Sequence, residues 1–440
     1  MARKMKDSGI EWIGALPTDF TLYKLKYLLS SPLCYGANES GTLYSDILPR
    51  YIRITDISPN GTLKNSGMLS LDESSAQNYM LHEGDILFAR SGATVGKSFI
   101  YHNYYGRAAY AGYLIKASFN RLVLPEFVYY YTCSSAYEIW KNSIFIQSTI
   151  QNIGADRYSN LPISVPNSID KQLRIVHYLN DFCSKFDAII YNLQTSIEEY
   201  KKLKQSVITQ AVTKGVRGER EMKPTDFTRW SEIPFDWDLK RVKSCIASIS
   251  SGLSAVTDDA NSEESGKFVL RTSAVSSGFF APTEVKPVLK SAVNRLICPV
   301  EPDTLIVSRM NTASMVGACA YVANNHPSTF LPDKLWKIKF LPSYHTKYMW
   351  YALNSVPAKS WFSELATGAS SSMQNISIND FTSNYLPIPA FSEQKEIANY
   401  LDAKCAEIDG LVAKKELLVK ELESYKKSLI YEVVTGKREV

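Results

Sequence analysis

Residues 171–213 align on residues 393–435 without a gap, at a constant offset of 222. The offset superposes Gln172 on Gln394, Ile175 on Ile397, Tyr178-Leu179 on Tyr400-Leu401, Cys183 on Cys405, Asp187 on Asp409 and Val212-Thr213 on Val434-Thr435. Such a duplication constrains the fold strongly, because each copy must be one supersecondary unit that buries its apolar face against something else. The match continues upstream with small gaps: IQNIGADRYSNLPISVP (150–166) resembles MQNISINDFTSNYLPIP (373–389), and LPTDFTLYKLKYLLS (16–30) resembles IPFDWDLKRVKSCIA (233–247). A weaker echo joins GDILFARSGATVGKSFIY (84–101) to PDTLIVSRMNTASMVGACAYV (302–322). The blocks keep one order in both halves, so the chain reads domain, helix, domain, helix, over 1–169, 170–216, 217–391 and 392–440.

The duplicated segments carry a helical stripe. Ile175, Leu179, Phe182, Phe186, Ile189, Leu193, Tyr200, Leu203 and Val207 follow alternating steps of four and three, with Ser196 as the polar interruption. That spacing predicts a heptad seam over about five repeats. The second copy places Ile397, Leu401, Ile408, Leu411, Leu418, Leu422, Tyr425 and Leu429 on the same frame, interrupted by Lys404 and Lys415. Asp170 and Ser392 are expected N-caps, and Gly215 and Gly436 expected C-terminal glycines. Each helix would be about 65 Å long at 1.5 Å per residue. One stripe per copy suggests that the helices pair with each other, in an orientation that periodicity leaves open.

The domains between them read as short apolar strands broken by turns, ILPRYIRITDIS, GDILFARSG and AGYLIKASF in the first, KFVLRTSAV, DTLIVSRMN and LWKIKF in the second. A helical stretch follows in each, so the expected fold is α+β with two β-rich domains. The net charge of +5 over 440 residues permits a polyanionic partner without demanding one. The 27 tyrosines suit either interfaces or half-buried sheet faces. No stretch approaches 18 apolar residues and the N-terminal residues lack an apolar leader, so a cytoplasmic protein without a membrane span is expected.

Catalytic motifs fail when tested. Gly92-Ala93-Thr94-Val95-Gly96-Lys97-Ser98 resembles a phosphate-binding loop, but three residues separate its glycines where four are required. A strand-turn-strand is the expectation there. Glu284-Val285-Lys286 is an isolated nuclease-like fragment without an upstream Pro-Asp. Neither an Asn/Asp-Pro-Pro-Tyr motif nor a glycine-rich S-adenosylmethionine turn is found. The seven cysteines include no CxxC pair, and the five histidines show no metal-ligand spacing, so the cysteines are expected to be small buried hydrophobes.

What remains is polar loops suited to groove edges. Arg90, Ser91, Thr94 and Lys97 stand opposite Arg309, Asn311, Thr312 and Ser314. Gln147, Ser148, Thr149, Gln151 and Asn152 stand opposite Ser370, Ser371, Ser372, Gln374 and Asn375. Arginine pairs bidentately with guanine, Asn and Gln with adenine, and hydroxyls with either. Ordinary surface-loop composition is the plainer explanation for any single one of them.

Together, WIGALPTDF, WSEIPFDW, GDILFARSGATVGK, LPIPAFSEQKEIANYLD (386–402) and its counterpart LPISVPNSIDKQLRIVHYLN (161–180) resemble the specificity subunit of a type I restriction–modification system. The resemblance implies two target-recognition domains, each binding one half of a bipartite asymmetric site in double-stranded DNA. It implies an antiparallel coiled coil of the two helices with a pseudo-twofold repeat, and no active site in this chain. It further implies two methyltransferase subunits carrying S-adenosylmethionine for adenine methylation, and two restriction subunits using ATP and Mg. A coiled-coil scaffold that never touches DNA is the alternative from another class, and a self-sufficient nuclease or methyltransferase is disfavoured by the missing motifs.

Overall fold

A computed structural model describes residues 4–58, 61–92, 94–146, 152–254, 264–370 and 373–440. The chain mixes helices and sheets and divides into two compact units, Met1–Gln194 with Glu416–Val440, and Thr195–Lys415. Among the described residues no helix is long and apolar enough to cross a membrane.

In unit 1 the strand Ile86–Ala89 is buried along its whole length and lies between Leu114–Ala117 and Ser98–Ile100, with Cys34–Tyr35 beyond. Its side chains alternate between faces, as a period of two requires. Ile86 and Phe88 enter a core with Phe127, Tyr131 and Trp140, whereas Leu87 and Ala89 enter a second core with Phe99, Tyr101 and Tyr110. Burying side chains such as Ile86, Leu87 and Phe88 contributes about 1.5–3 kcal/mol each. A second sheet runs Ala108–Tyr110, Arg50–Ile52, Leu69–Ser70, Thr42–Leu43, its first pair parallel.

Unit 2 has the same order. Its central strand Thr304–Ser308 lies between Leu335–Phe340 and Cys319–Val322, with Ile246–Ser251 beyond. Leu305 and Val307 face one core and Ile306 another. Glu264–Leu270 pairs in parallel with His326–Phe330, matching the parallel pair of unit 1.

Each unit then ties its domain to a long helix. Phe20–Lys24 pairs with Pro162–Pro166, which leads into the helix Ile169–Lys214, and Asp238–Arg241 pairs with Tyr385–Ile388, which leads into Phe391–Val434. Gln172, fully buried, accepts the Leu124 amide at 2.8 Å and donates to the Leu122 and Pro166 carbonyls at 3.0 Å. Gln394 repeats this, accepting the His345 amide at 2.8 Å and donating to the Pro389 carbonyl at 2.9 Å. Buried amides and carbonyls need partners, and one glutamine supplies both kinds. The helices begin at Ile169 and Phe391, so Asp170 and Ser392 stand in the first turn and not at the cap. The Gln172 amide donates to the Ser168 carbonyl, and the Glu393 and Gln394 amides donate to the Ala390 carbonyl. Gly215 and Gly436 close the helices at φ +78° and +70°, where a side chain would be strained.

The buried stripe differs from the expected one. Leu179, Leu401, Ile408 and Leu429 are buried as anticipated, and Phe182, Phe186, Leu193, Tyr200, Val207 and Leu422 are half-buried. Ile189, Leu203, Leu411, Leu418 and Tyr425 are mainly exposed, while Cys183, Ile190, Ile197, Cys405 and Val419 are buried in their stead. At every second step of the heptad two neighbouring positions are available, and the helix turns the second one inward. In unit 1 Tyr425 lies 5.7 Å from the Phe186 ring, and in unit 2 Lys415 lies 5.6 Å over the Tyr200 ring. Cys245, Cys298 and Cys319 are buried too, but Cys34 is exposed and Cys133 partly so, against the expectation for all seven.

Candidate nucleic-acid interface

In unit 1 the turn Gly92–Lys97 joins Ile86–Ala89 to Ser98–Ile100. Its Val95 amide donates to the Gly92 carbonyl at 3.0 Å, and the Gly96 carbonyl accepts the buried Tyr137 hydroxyl at 2.6 Å. Gly92 and Gly96 both take φ +81°, which favours glycine. The turn is therefore a pinned hairpin connection, and Thr94 and Lys97 ride on it, Lys97 exposed.

Immediately before the turn, the two polar segments of unit 1 meet. Ser91 bridges to Asn152, and the Ile153 amide donates to the Arg90 carbonyl at 2.9 Å. The Arg90 guanidinium lies 5.0 Å over the Tyr35 ring, and its buried Nε has no partner among the described residues. Tyr35 is itself fixed, its hydroxyl accepting the Ala155 amide at 3.0 Å. Tyr113, whose carbonyl accepts the Arg90 amide at 3.0 Å, is exposed. Gln147, Ser148, Thr149 and Gln151 lie outside the described residues.

Unit 2 builds the same junction from different side chains. Met310–Asn311 pairs with Gln374–Asn375, and the Ile376 amide donates to the Arg309 carbonyl at 3.0 Å. The Arg309 guanidinium lies 5.8 Å over Trp336 and its Nε donates to Asn375 Oδ1 at 3.5 Å. Asn311 Nδ2 donates to Ser276 Oγ at 2.9 Å, and its Oδ1 accepts the Thr312 amide at 2.9 Å. The Thr312 and Ser314 hydroxyls are 3.4 Å apart. Ser370 belongs to the strand Thr367–Ser370 and pairs with Met373, whereas Ser371 and Ser372 lie outside the described residues.

Sequence reading missed Tyr35, because its partner Arg90 is 55 positions away along the chain and the two meet only through strand pairing. Among the described residues no group of His, Cys, Asp and Glu could hold a metal ion. Glu284 accepts the Ser273 hydroxyl at 2.6 Å. The geometry offers planar hydrogen-bonding heads held by backbone and aromatic faces, which suits recognition.

Residues 44–199 match the family model described as the type I restriction modification DNA specificity domain. Over that stretch the chain is similar to the specificity subunits of type I restriction–modification systems. The chain is 23% identical over 437 residues to the MjaX specificity subunit inferred for a type I restriction enzyme of Methanocaldococcus jannaschii, covering 97% of this chain and 95% of that one. It is 21% identical over 296 residues to the type I restriction enzyme EcoKI specificity subunit of Escherichia coli K12, covering 66% of this chain and 61% of that one. A solved chain from work described as the structural basis underlying complex assembly and conformational transition of the type I R-M system shares its fold, with a TM-score of 0.68 at 14% identity, covering 96% and 99% of the two chains. The matched residues span the first junction, Arg90 and Asn152 included.

Proposed function

We propose that this chain is the sequence-reading subunit of a type I restriction–modification enzyme, working in the cytoplasm and carrying no chemistry of its own. Each unit reads one half of a bipartite, asymmetric site in double-stranded DNA. The two long helices pair antiparallel as a coiled coil, relate the units by a pseudo-twofold repeat and set the spacing between half-sites. Two methyltransferase subunits, with S-adenosylmethionine, methylate adenine in each half, and two restriction subunits, with ATP and Mg, cleave.

One observation carries this reading. In both units a backbone junction holds an arginine carbonyl on the residue after an asparagine, Arg90 on Ile153 after Asn152 and Arg309 on Ile376 after Asn375, while the surrounding side chains differ. A shared frame with unlike polar heads suits two readers of different sequences, because base edges are distinguished by donor and acceptor patterns. A helix of 46 residues spans about 69 Å at 1.5 Å per residue, enough to hold readers on half-sites about 34–36 Å apart. Mapping methyladenine across a genome with and without this gene tests the reading. The expected result is one motif of two unlike halves at a fixed spacing. An unchanged methylation map together with no duplex binding would favour a scaffold instead.

A further inference from the structure

We propose that Lys24 and Lys26 in unit 1, and Arg241 and Lys243 in unit 2, form a phosphodiester-binding site at the root of each reading junction. The inference rests on the DNA reading above and adds where the duplex backbone is gripped.

The two sites arise from the same short pattern. Lys24-Leu25-Lys26 and Arg241-Val242-Lys243 occupy matching positions in the aligned segments 16–30 and 233–247. Leu25 and Val242 are wholly buried, whereas the bases on either side are exposed. The buried residue anchors each segment where the strand gives way to a helical turn, Leu25–Tyr27 or Val242–Cys245, and leaves a base exposed on either side of it.

Backbone bonds place these bases beside the junction. The Leu25 amide donates to the Leu161 carbonyl and the Val242 amide to the Asn384 carbonyl, both at 2.8 Å. Lys24 pairs with Pro162 and Arg241 with Tyr385. Each partner strand follows a five-residue helix, Ala155–Ser159 or Ile378–Thr382, that starts three residues after Asn152 or Asn375. Five helical residues rise about 7.5 Å, near two base pairs at about 3.4 Å each. A duplex engaged by Arg90 and Asn152 thus presents its backbone to Lys24 and Lys26.

The charge there is uncommitted. Among the described residues none of these four cations is ion-paired to a carboxylate. Lys26 lies 5.1 Å over the Tyr27 ring, and Arg241 donates to the Tyr385 hydroxyl at 2.6 Å, contacts that orient without neutralising. In unit 2 Asp238 is taken by Lys240 at 3.4 Å, and Asp380 accepts the Ser377 hydroxyl at 2.5 Å. In unit 1 the position aligned with Asp380 is Arg157, exposed, so a third cation joins the first site. The reading side chains diverged between the halves while these bases recur, as expected if the bases meet the part of DNA that is the same in every sequence.

The test is a salt titration of duplex binding with the full-length chain, alone and with its methyltransferase subunits, on a duplex bearing the mapped site and on an unrelated duplex. Lys24→Ala/Lys26→Ala and Arg241→Ala/Lys243→Ala should each lower the slope of log affinity against log salt by about 2, at roughly 0.9 per phosphate. Binding should weaken about equally on both duplexes, and Lys24→Arg/Lys26→Arg should retain the wild-type slope. Unaltered thermal melting of the variants separates contact loss from misfolding. A wild-type slope in both alanine variants overturns the phosphate sites and leaves the reading intact. Failure of the wild-type chain to bind either duplex, with or without its partners, overturns the reading itself.

Discussion

Lys204 donates to both carboxylate oxygens of Asp409, at 2.6 and 2.8 Å. The pair recurs at the 222-residue offset, where Lys426 stands for Lys204 and Asp187 for Asp409, bonded at 2.6 Å. Lys204 is only 11% exposed and also lies 4.5 Å over the Phe279 ring, so its charge depends on Asp409 more than a surface lysine would. A buried polar group at one heptad position costs stability and specifies register. Asp409→Ala should destabilise unit 2 by about 1–2 kcal/mol, a figure reduced for the solvent that still reaches the carboxylate. Lys204→Met in the same chain should recover part of it. Urea unfolding of the three proteins checks this, and no recovery in the double variant would mean the pair is incidental.

The frame of the stripe gives a second measurement. Ile197 is 6% exposed and Ile189 46%. Ile197→Ala should therefore cost about 2–4 kcal/mol through the cavity it leaves, and Ile189→Ala less than about 1 kcal/mol. Equal losses by thermal unfolding would contradict the burial.

Arg90 is expected to act on one half-site only. Arg90→Ala should reduce discrimination at a single base pair of the half read by unit 1 by about 1–3 kcal/mol, leaving the other half unaffected. Competition binding with duplexes substituted one position at a time resolves this, and uniform weakening across all positions would argue for a backbone contact instead.

His345 gives unit 2 a pH dependence. Burial disfavours its imidazolium and holds its pKa below the ordinary 6.5, with Asp303 and Asp402 opposing that shift and Lys395 and Lys347 reinforcing it. Its neutral Nδ1 accepts the Tyr348 amide at 3.4 Å at the start of Thr346–Leu353. The folded chain thus takes up this proton less readily than the unfolded one. The contribution is complete above about pH 6.5 and is lost as pH falls through the folded value. Melting temperature should drop between pH 7.5 and 5.5, and His345→Asn, which keeps a capping acceptor, should flatten the drop. An unchanged drop in the variant assigns it elsewhere.

The duplication, the mixed fold and the hairpin at Gly92–Lys97 were legible in sequence because each depends on local pattern. The helix frame was not. Stepping through Ser196 leaves one polar interruption, and stepping through Ile197 moves that interruption to Lys204, so no local count separates the two. The deciding partner, Asp409, lies 205 residues further along. The junctions were half legible: the segments around Arg90 and Asn152 were recognisable by composition, but their meeting, and the Tyr35 ring beneath, depend on strand pairing.

Unit 1 is closed by residues from the far end of the chain. Leu429, Ile430, Val433 and Val434 share its core with Ile13, Phe20 and Leu179, and Ser164 Oγ donates to the Val434 carbonyl at 3.1 Å. On a ribosome adding about 5–20 residues per second, the first domain to emerge waits tens of seconds for its last wall, during which the second is made and closed. The half translated first is the half finished last, and a stop codon just before Leu429 would injure the domain that holds Ile13 and Phe20.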